Sequence, residues 1–278
     1  MYTLSSRLKL TAIICMIVGA LGLIYAFIAA PDTIEDVKEM MAADAHHESE
    51  EVAVVENDIH LANPEHAEDD HVIADEHGEA VAAETAHGEE AGHDNEHYEH
   101  LLHQLQNKPW AALYIAAFFF FMISLGTLAF YAIQQAAQAG WSPVLFRVMD
   151  GITAYLLPGS IIVFIILALS GFHFNHLFIW MDPEVVAHDE IIQNKTGYLN
   201  VPFFLIRAAI YIAGWNFFRY LMRRNSLRLD EATDDRLHKI NFKLAAGFLV
   251  FYLVTESMMS WDWIMSVDPH WFSTLFGW

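Results

Sequence analysis

Five long apolar blocks, at 10–30, 110–133, 152–172, 201–222 and 244–265, constrain the fold more than any other feature of this chain. At about 1.5 Å of rise per helical residue, each is long enough to cross the ~30 Å hydrocarbon core of a bilayer. In lipid every backbone N–H and C=O must be paired internally, so a span is either a helix or a strand of a closed barrel. Barrel strands would read as short alternating segments, and the sequence has none. The blocks therefore predict an all-α polytopic membrane protein, with one N-terminal transmembrane helix followed by a four-helix transmembrane bundle. Arg7 and Lys9 precede the first block and Ala29-Ala30 lie near its end, as in a signal peptide. Its apolar core exceeds the roughly 7–15 residues of a signal sequence, which predicts a retained anchor. The third block has an apolar continuation as far as Trp180.

Charge divides the chain into three parts: an anchor at 1–30, an outer loop at 31–109, and the bundle at 110–278. The loop holds 23 Asp/Glu against Lys38 and Lys108, whereas the rest of the chain carries 12 acids and 12 bases. All the excess acidity is therefore local, and no basic surface suited to nucleic acid exists. The loop is low in complexity and carries 11 His. Such a composition cannot bury enough apolar surface to fold, so it reads as disordered, a solvated tether. Weak metal capture or proton buffering is the alternative, although no His spacing fixes a tetrahedral site. Residues 97–105 look helical, a lead-in to Trp110. Cys15, the single cysteine, excludes an internal disulfide and a Cys-ligated cluster.

Lys and Arg give the orientation. With the N-terminus in the cytoplasm, Arg7, Lys9, Arg147, Arg219, Arg223, Arg224, Arg228, Arg236, Lys239 and Lys243 are inside, and Lys38, Lys108 and Lys195 are outside. The Arg-rich segment after the fourth block carries this argument, because long loops translocate regardless of charge.

Polar residues inside or beside the blocks are the functional candidates, because a charged group in hydrocarbon costs about 2.5–3.5 kcal/mol on insertion scales. Glu256 stands in an otherwise apolar run. Asp262 follows among Trp261, Trp263 and Trp271, with Asp268 and His270 beyond. Together they suggest a proton or ion path or a polar ligand site; helix packing is the alternative for Glu256. Arg207, Tyr211 and Trp215 share one face at i, i+4, i+8. Arg207 either snorkels to the interface or neutralises a buried carboxylate, Glu256 or Asp262. Without Arg207, Glu256 is expected to hydrogen-bond, with Ser260 as the nearest partner.

His173 and His176 follow the third block. Two histidines one turn apart cannot ligate opposite sides of a haem, so they suit a proton relay, a quinone head group or a plain interface. Asp150 reads as a helix cap, with an inner proton entry as the alternative. Pro158-Gly159-Ser160 is expected to interrupt the third span, and Gly171, Gly214 and Gly247 to allow close helix contact.

Three stretches carry a family resemblance: His103-Gln104-Leu105-Gln106-Asn107-Lys108-Pro109-Trp110, Ala136-Ala137-Gln138-Ala139-Gly140-Trp141-Ser142-Pro143, and the run from Thr255-Glu256-Ser257 through Ser260-Trp261-Asp262-Trp263-Ile264-Met265-Ser266-Val267-Asp268-Pro269-His270-Trp271 to the C-terminus. They resemble the second polysulfide-reductase-type (NrfD-like) membrane subunit of bacterial alternative complex III, a quinol:cytochrome c oxidoreductase. The resemblance covers about 100–278 and the first span.

It implies about ten spans in a full-length member, so this chain would supply the outer helix and the first of two four-helix bundles. It also implies a bacterial inner-membrane location. Partners would be a multihaem c-type cytochrome, an iron–sulfur protein, a paralogous NrfD-like membrane subunit and a monohaem cytochrome c. Haem c and iron–sulfur clusters would sit on those partners, with quinol in the complex and no redox cofactor in this chain. The expected role is proton conduction or scaffolding. A secondary transporter or metal-uptake permease with a His-rich capture loop is the alternative from another class.

Overall fold

The computed structural model describes residues 5–41, 90–229, 236–273 and 275–276, with the backbone alone at 90–97 and 99–100. Among these residues the secondary structure is helical and contains no strand. Five helices are long and apolar enough to span a membrane: Ser6–Ile28, Leu101–Ala136, Pro143–Gly171, Val201–Leu229 and Arg236–Val267. The chain is an all-α polytopic membrane protein. It divides into two compact units, Met1–Lys108 and Pro109–Trp278.

In the first unit, α1 (Ser6–Ile28) starts at Ser5, whose Oγ accepts the Leu8 amide, and no residue of α1 is buried. A second helix, α2 (34–41), starts at a reciprocal cap: Thr33 Oγ1 accepts the Asp36 amide, and Asp36 Oδ2 accepts the Thr33 amide at 2.9 Å. The third, α3 (Glu90–Ala136), begins well before the apolar block it contains. Within this unit Gln106 Nε2 donates to the Pro31 carbonyl at 3.1 Å, and Lys38 lies over the Tyr98 ring. Thus 34–41 and 90–109 are helical, while the rest of the acidic His-rich segment, 42–89, lies outside the described residues.

The second unit contains α3 from Pro109 on, α4 (Pro143–Ile152), α5 (Leu156–Gly171), the short α6 (Pro183–His188) and α7 (Glu190–Lys195), α8 (Val201–Leu229) and α9 (Arg236–Trp263). A 3₁₀ turn at Thr153–Tyr155 joins α4 to α5. The third span is interrupted next to Pro158, as expected: this proline cannot donate to the carbonyl of Ala154, which lies in that 3₁₀ turn, and Pro158 itself falls in the first turn of α5.

The third span does not run on to Trp180. It stops at Gly171, because His173 takes a left-handed conformation (φ 60°) and closes the helix. The Phe174 amide donates to the Leu169 carbonyl and the His173 amide to Ser170, both at 3.0 Å. That pairing satisfies the last carbonyls of the helix. The same device ends α3, with Gln138 (φ 51°) in the left-handed position.

α8 and α9 pack side by side, and α5 packs on α8. A Cβ on Gly214 would lie 2.2 Å from the Phe251 ring, and one on Gly171 would lie 2.8 Å from Val201, so both glycines permit close contact as expected. Gly247 would meet only an ordinary contact with Phe218. Phe121, Trp215 and Trp263 are fully buried at the bundle centre, with centroids about 6 Å apart. Ile206, Ile210, Phe217 and Tyr220 on the other face of α8 are exposed. This helix is apolar towards its surroundings and polar inside, as a lipid solvent demands.

Candidate functional site

The inward face of α8 carries a line of hydrogen-bonding side chains at helical spacing: Arg207, Tyr211, Trp215, Arg219 and Arg223. From Arg207 to Arg223 the line rises ~24 Å at 1.5 Å per residue, most of a hydrocarbon thickness. Asn200 caps the start of the helix, its Oδ1 accepting the Phe203 amide at 3.1 Å.

At the first end, Arg207 grips Asp262 of α9 with both prongs. Nε donates to Oδ2 at 2.8 Å and Nη2 donates to Oδ1 at 2.7 Å. Nη1 donates to the Tyr198 carbonyl at 3.1 Å, and the guanidinium lies 3.9 Å from the Tyr198 ring centre and 4.2 Å from that of Phe203. Tyr211 Oη donates to Asp262 Oδ2 at 3.1 Å. Asp262 is 0% exposed and Arg207 4%. Arg207 therefore does not snorkel, because a bidentate carboxylate and two aromatic faces lie within its reach. Asp262 occupies the last turn of α9, where the helix dipole disfavours an anion; Arg207 supplies the compensation. Beside the pair, the Tyr198 hydroxyl is buried without a hydrogen-bond partner among the described residues. Burial first, and then the Asp262 charge, hold this phenol well above its ordinary range, so it remains a neutral hydroxyl.

Midway, Trp215 Nε1 donates to Thr255 Oγ1 at 2.9 Å, and Asn216 Nδ2 donates to Ser160 Oγ at 3.1 Å. At the far end, Asp150 Oδ2 accepts Arg223 Nη1 at 2.7 Å and Ser226 Oγ at 3.0 Å, with Arg147 Nη1 at 3.7 Å. Arg219 Nε donates to Thr153 Oγ1 at 3.4 Å. Asp150 is not a cap. The helix it would have capped begins earlier, at Pro143, and Asp150 lies in the closing turn of α4.

Glu256 stands apart from both clusters. It is half-buried, next in sequence to Thr255, and makes no hydrogen bond or ion pair among the described residues. The expected bond to Ser260 is not formed, because Ser260 Oγ donates one turn back to the Ser257 carbonyl at 2.8 Å. Arg207 takes Asp262 and leaves Glu256 without a cation.

The remaining candidates build the loops near the Arg207–Asp262 end. The His173 side chain is exposed, and its backbone terminates α5. His176 Nδ1 lies 3.8 Å from Asp182, whose Oδ1 caps α6. His270 Nε2 lies 2.6 Å from Asp189 Oδ2, and its Nδ1 is 3.7 Å from Asp268. Asp189 also caps α7 through the amides of Ile191 and Ile192. Partial desolvation would raise its carboxyl, but those amides and His270 outweigh it and hold the group below its ordinary 3.8. Lys195 Nζ donates to the Pro269 carbonyl. These contacts tie the segment after α9 to α7. Among the described residues no group of three or more His, Cys, Asp or Glu is placed to hold a metal ion.

Sequence reasoning placed Arg207, Tyr211 and Trp215 on one face but stopped there. The same i+4 step continues to Arg219 and Arg223 and could have been followed. Tyr198 could not have been found, since it reaches Arg207 from outside the helix.

No protein-family model matches this chain, and no curated protein sequence matches it.

Proposed function

We propose that this chain is a membrane subunit of a respiratory quinol:electron-acceptor (cytochrome c) oxidoreductase complex, and that Glu256 carries protons within its bundle. One observation carries the proton role. The spans of the bundle contain three carboxyls, Asp150, Asp262 and Glu256, and two of them are held by arginine. Protonating Asp262 would strand a buried guanidinium, which is strongly unfavourable. Glu256 can gain or lose a proton without stranding a cation. The hydroxyl of Thr255, next in sequence to Glu256 on α9, and the hydroxyls bonded along α8 supply neutral groups through which a proton can be passed. At the Asp150 end the arginines outnumber the carboxyl and disfavour hydronium, whereas the Arg207–Asp262 pair is neutral as a unit.

The quinol part of the reading rests on the stretches at 103–110, 136–143 and 255–278, which resemble the NrfD-like subunit. Electrons would pass through haem c and iron–sulfur clusters on partner subunits. His173 and His176 both follow α5 and cannot face each other across an iron, which supports placing the redox groups elsewhere. The Lys/Arg distribution supports an inner-membrane protein with a cytoplasmic N-terminus and the Arg207–Asp262 pair towards the outside. The permease reading rests on the His-rich segment, most of which lies outside the described residues.

The test is Glu256→Gln in native membranes, which keeps the side-chain shape but cannot titrate. The complex is expected to assemble and transfer electrons from quinol while proton translocation falls. Unchanged translocation would make Glu256 a packing residue. Purification in mild detergent tests the assignment itself: the tagged chain is expected to bring with it partners that show c-type haem absorbance, and its recovery alone would remove the respiratory reading.

A further inference from the structure

At the end of the bundle opposite the Arg207–Asp262 pair is a cavity of about 820 Å³, lined by the end of α3, the start of α4, the end of α8 and the start of α9. That volume is in the ~300–1,000 Å³ range of small-ligand sites. Its chemistry is one-sided. Lys239, Lys243, His238 and Arg147 supply cations or potential cations, Gln134 and Gln138 supply neutral donors, and Phe146 and Phe242 supply apolar wall. Among the described residues no acidic side chain lines it. Lys239 and Lys243 are one turn apart on α9, both exposed, and neither makes a hydrogen bond or ion pair among the described residues. Arg147 and Arg223 already serve Asp150, so the two lysines are the charge left over.

The walls belong to spanning helices close to where their apolar stretches end. Trp141, beside the lining residue Gly140, is strongly exposed, as an interfacial aromatic would be. Gln138 is held in a left-handed conformation that favours glycine, and its side chain lines the cavity.

We infer that this cavity binds the phosphodiester head group of an anionic phospholipid, with Lys239 and Lys243 facing the phosphate, Gln134 and Gln138 donating to its oxygens or to head-group hydroxyls, and the acyl chains leaving along the apolar helix surfaces. Basic pockets between transmembrane helices suit this ligand because its charge sits at the depth where the helices end. A soluble phosphate would gain the same charge contacts and nothing from the apolar wall.

The test uses the full chain in mild detergent, or its native complex, with bound lipid counted by native mass spectrometry. Dioleoyl phosphatidylglycerol and tetraoleoyl cardiolipin are titrated against dioleoyl phosphatidylcholine. One tightly retained anionic lipid is expected, with phosphatidylcholine retained far less. Lys239→Gln and Lys243→Gln are each expected to weaken retention about fivefold, and the pair ~25-fold, without changing the thermal midpoint of the delipidated protein. Equal retention of phosphatidylcholine, or no loss in the double variant, overturns the site. Displacement of the lipid by an equal concentration of inorganic phosphate would make it a free-phosphate site and overturn the lipid assignment. Neutralising Asp230, Glu231, Asp234 and Asp235 is expected to leave retention within about twofold. A rise of the size lost in the double variant would show that the chain's own acids fill the cavity.

Discussion

The two ends of the α8 line are both built on an aspartate and an arginine, yet they differ in kind. Asp262 and Arg207 are enclosed, 0% and 4% exposed, with every guanidinium nitrogen engaged. Asp150 is also buried, at 4% exposed, but its arginines, Arg223 and Arg147, are 39% and 42% exposed. The first pair is shielded from solvent and held by an aromatic collar. The second is the buried root of a wet, basic surface. The same two residue types thus make a fixed internal brace at one end and a screened, adjustable cluster at the other. The difference lies in what surrounds the guanidinium rather than in the carboxylate.

Breaking the brace should have the largest effect. Asp262→Asn leaves Arg207 buried without a counter-charge and is expected to cost about 3–5 kcal/mol, read as a large fall in the thermal midpoint in detergent. Replacing both residues with apolar ones of similar volume should recover much of that loss. A single variant as stable as the parent would mean that solvent reaches the Arg207 guanidinium.

Tyrosine substitutions sharpen the same site. Tyr211→Phe removes a bond to a charged acceptor, expected to cost about 1.5–3 kcal/mol. Tyr198→Phe removes a hydroxyl without a hydrogen-bond partner and keeps the ring that stacks on Arg207, so its midpoint should stay within about 0.5 kcal/mol of the parent. Equal losses in the two would show that both hydroxyls hold the carboxylate.

At the other end, Asp150→Asn should cost less, about 1–2 kcal/mol, because its exposed arginines are already screened by solvent. Raising salt from 0.05 to about 0.5 M should shrink that difference and leave the Asp262→Asn loss nearly unchanged.

The smallest effect belongs to the loops. Asp189 has a folded-state pKa below its ordinary 3.8, so its contribution to stability is present above pH 3.8 and is lost as pH falls through the lower folded value. Protease cutting between α7 and the segment after α9 should rise below about pH 4, and Asp189→Asn should show that susceptibility already at neutral pH. No change in cutting with either treatment would remove Asp189 as a clasp.

Much of this was written in the order of residues. Hydrophobic block length settles an all-α membrane protein, because a bilayer leaves the backbone few other ways to pair its polar groups. Helical periodicity puts Arg207, Tyr211 and Trp215 on one face and, carried further, Arg219 and Arg223. The end of the third span was less legible. His173 is not a glycine, and only the backbone bonds of Phe174 and His173 show it closing α5.

Partnership across helices was decided by tertiary structure alone. Sequence offered Arg207 two carboxyls, Glu256 and Asp262, fewer than two turns apart on one helix. The packing of α8 against α9, close enough at Gly214 to seat Phe251, sets the register that brings Asp262 to the guanidinium. Likewise Asp150 could be read as a cap until the start of α4 at Pro143 placed it in a closing turn facing Arg223 and Ser226. A single sequence fixes which face of its own helix a residue occupies, because that follows from 3.6 residues per turn. Which two faces meet, and at what height, depends on side-chain volumes from distant parts of the chain, and no local period encodes it.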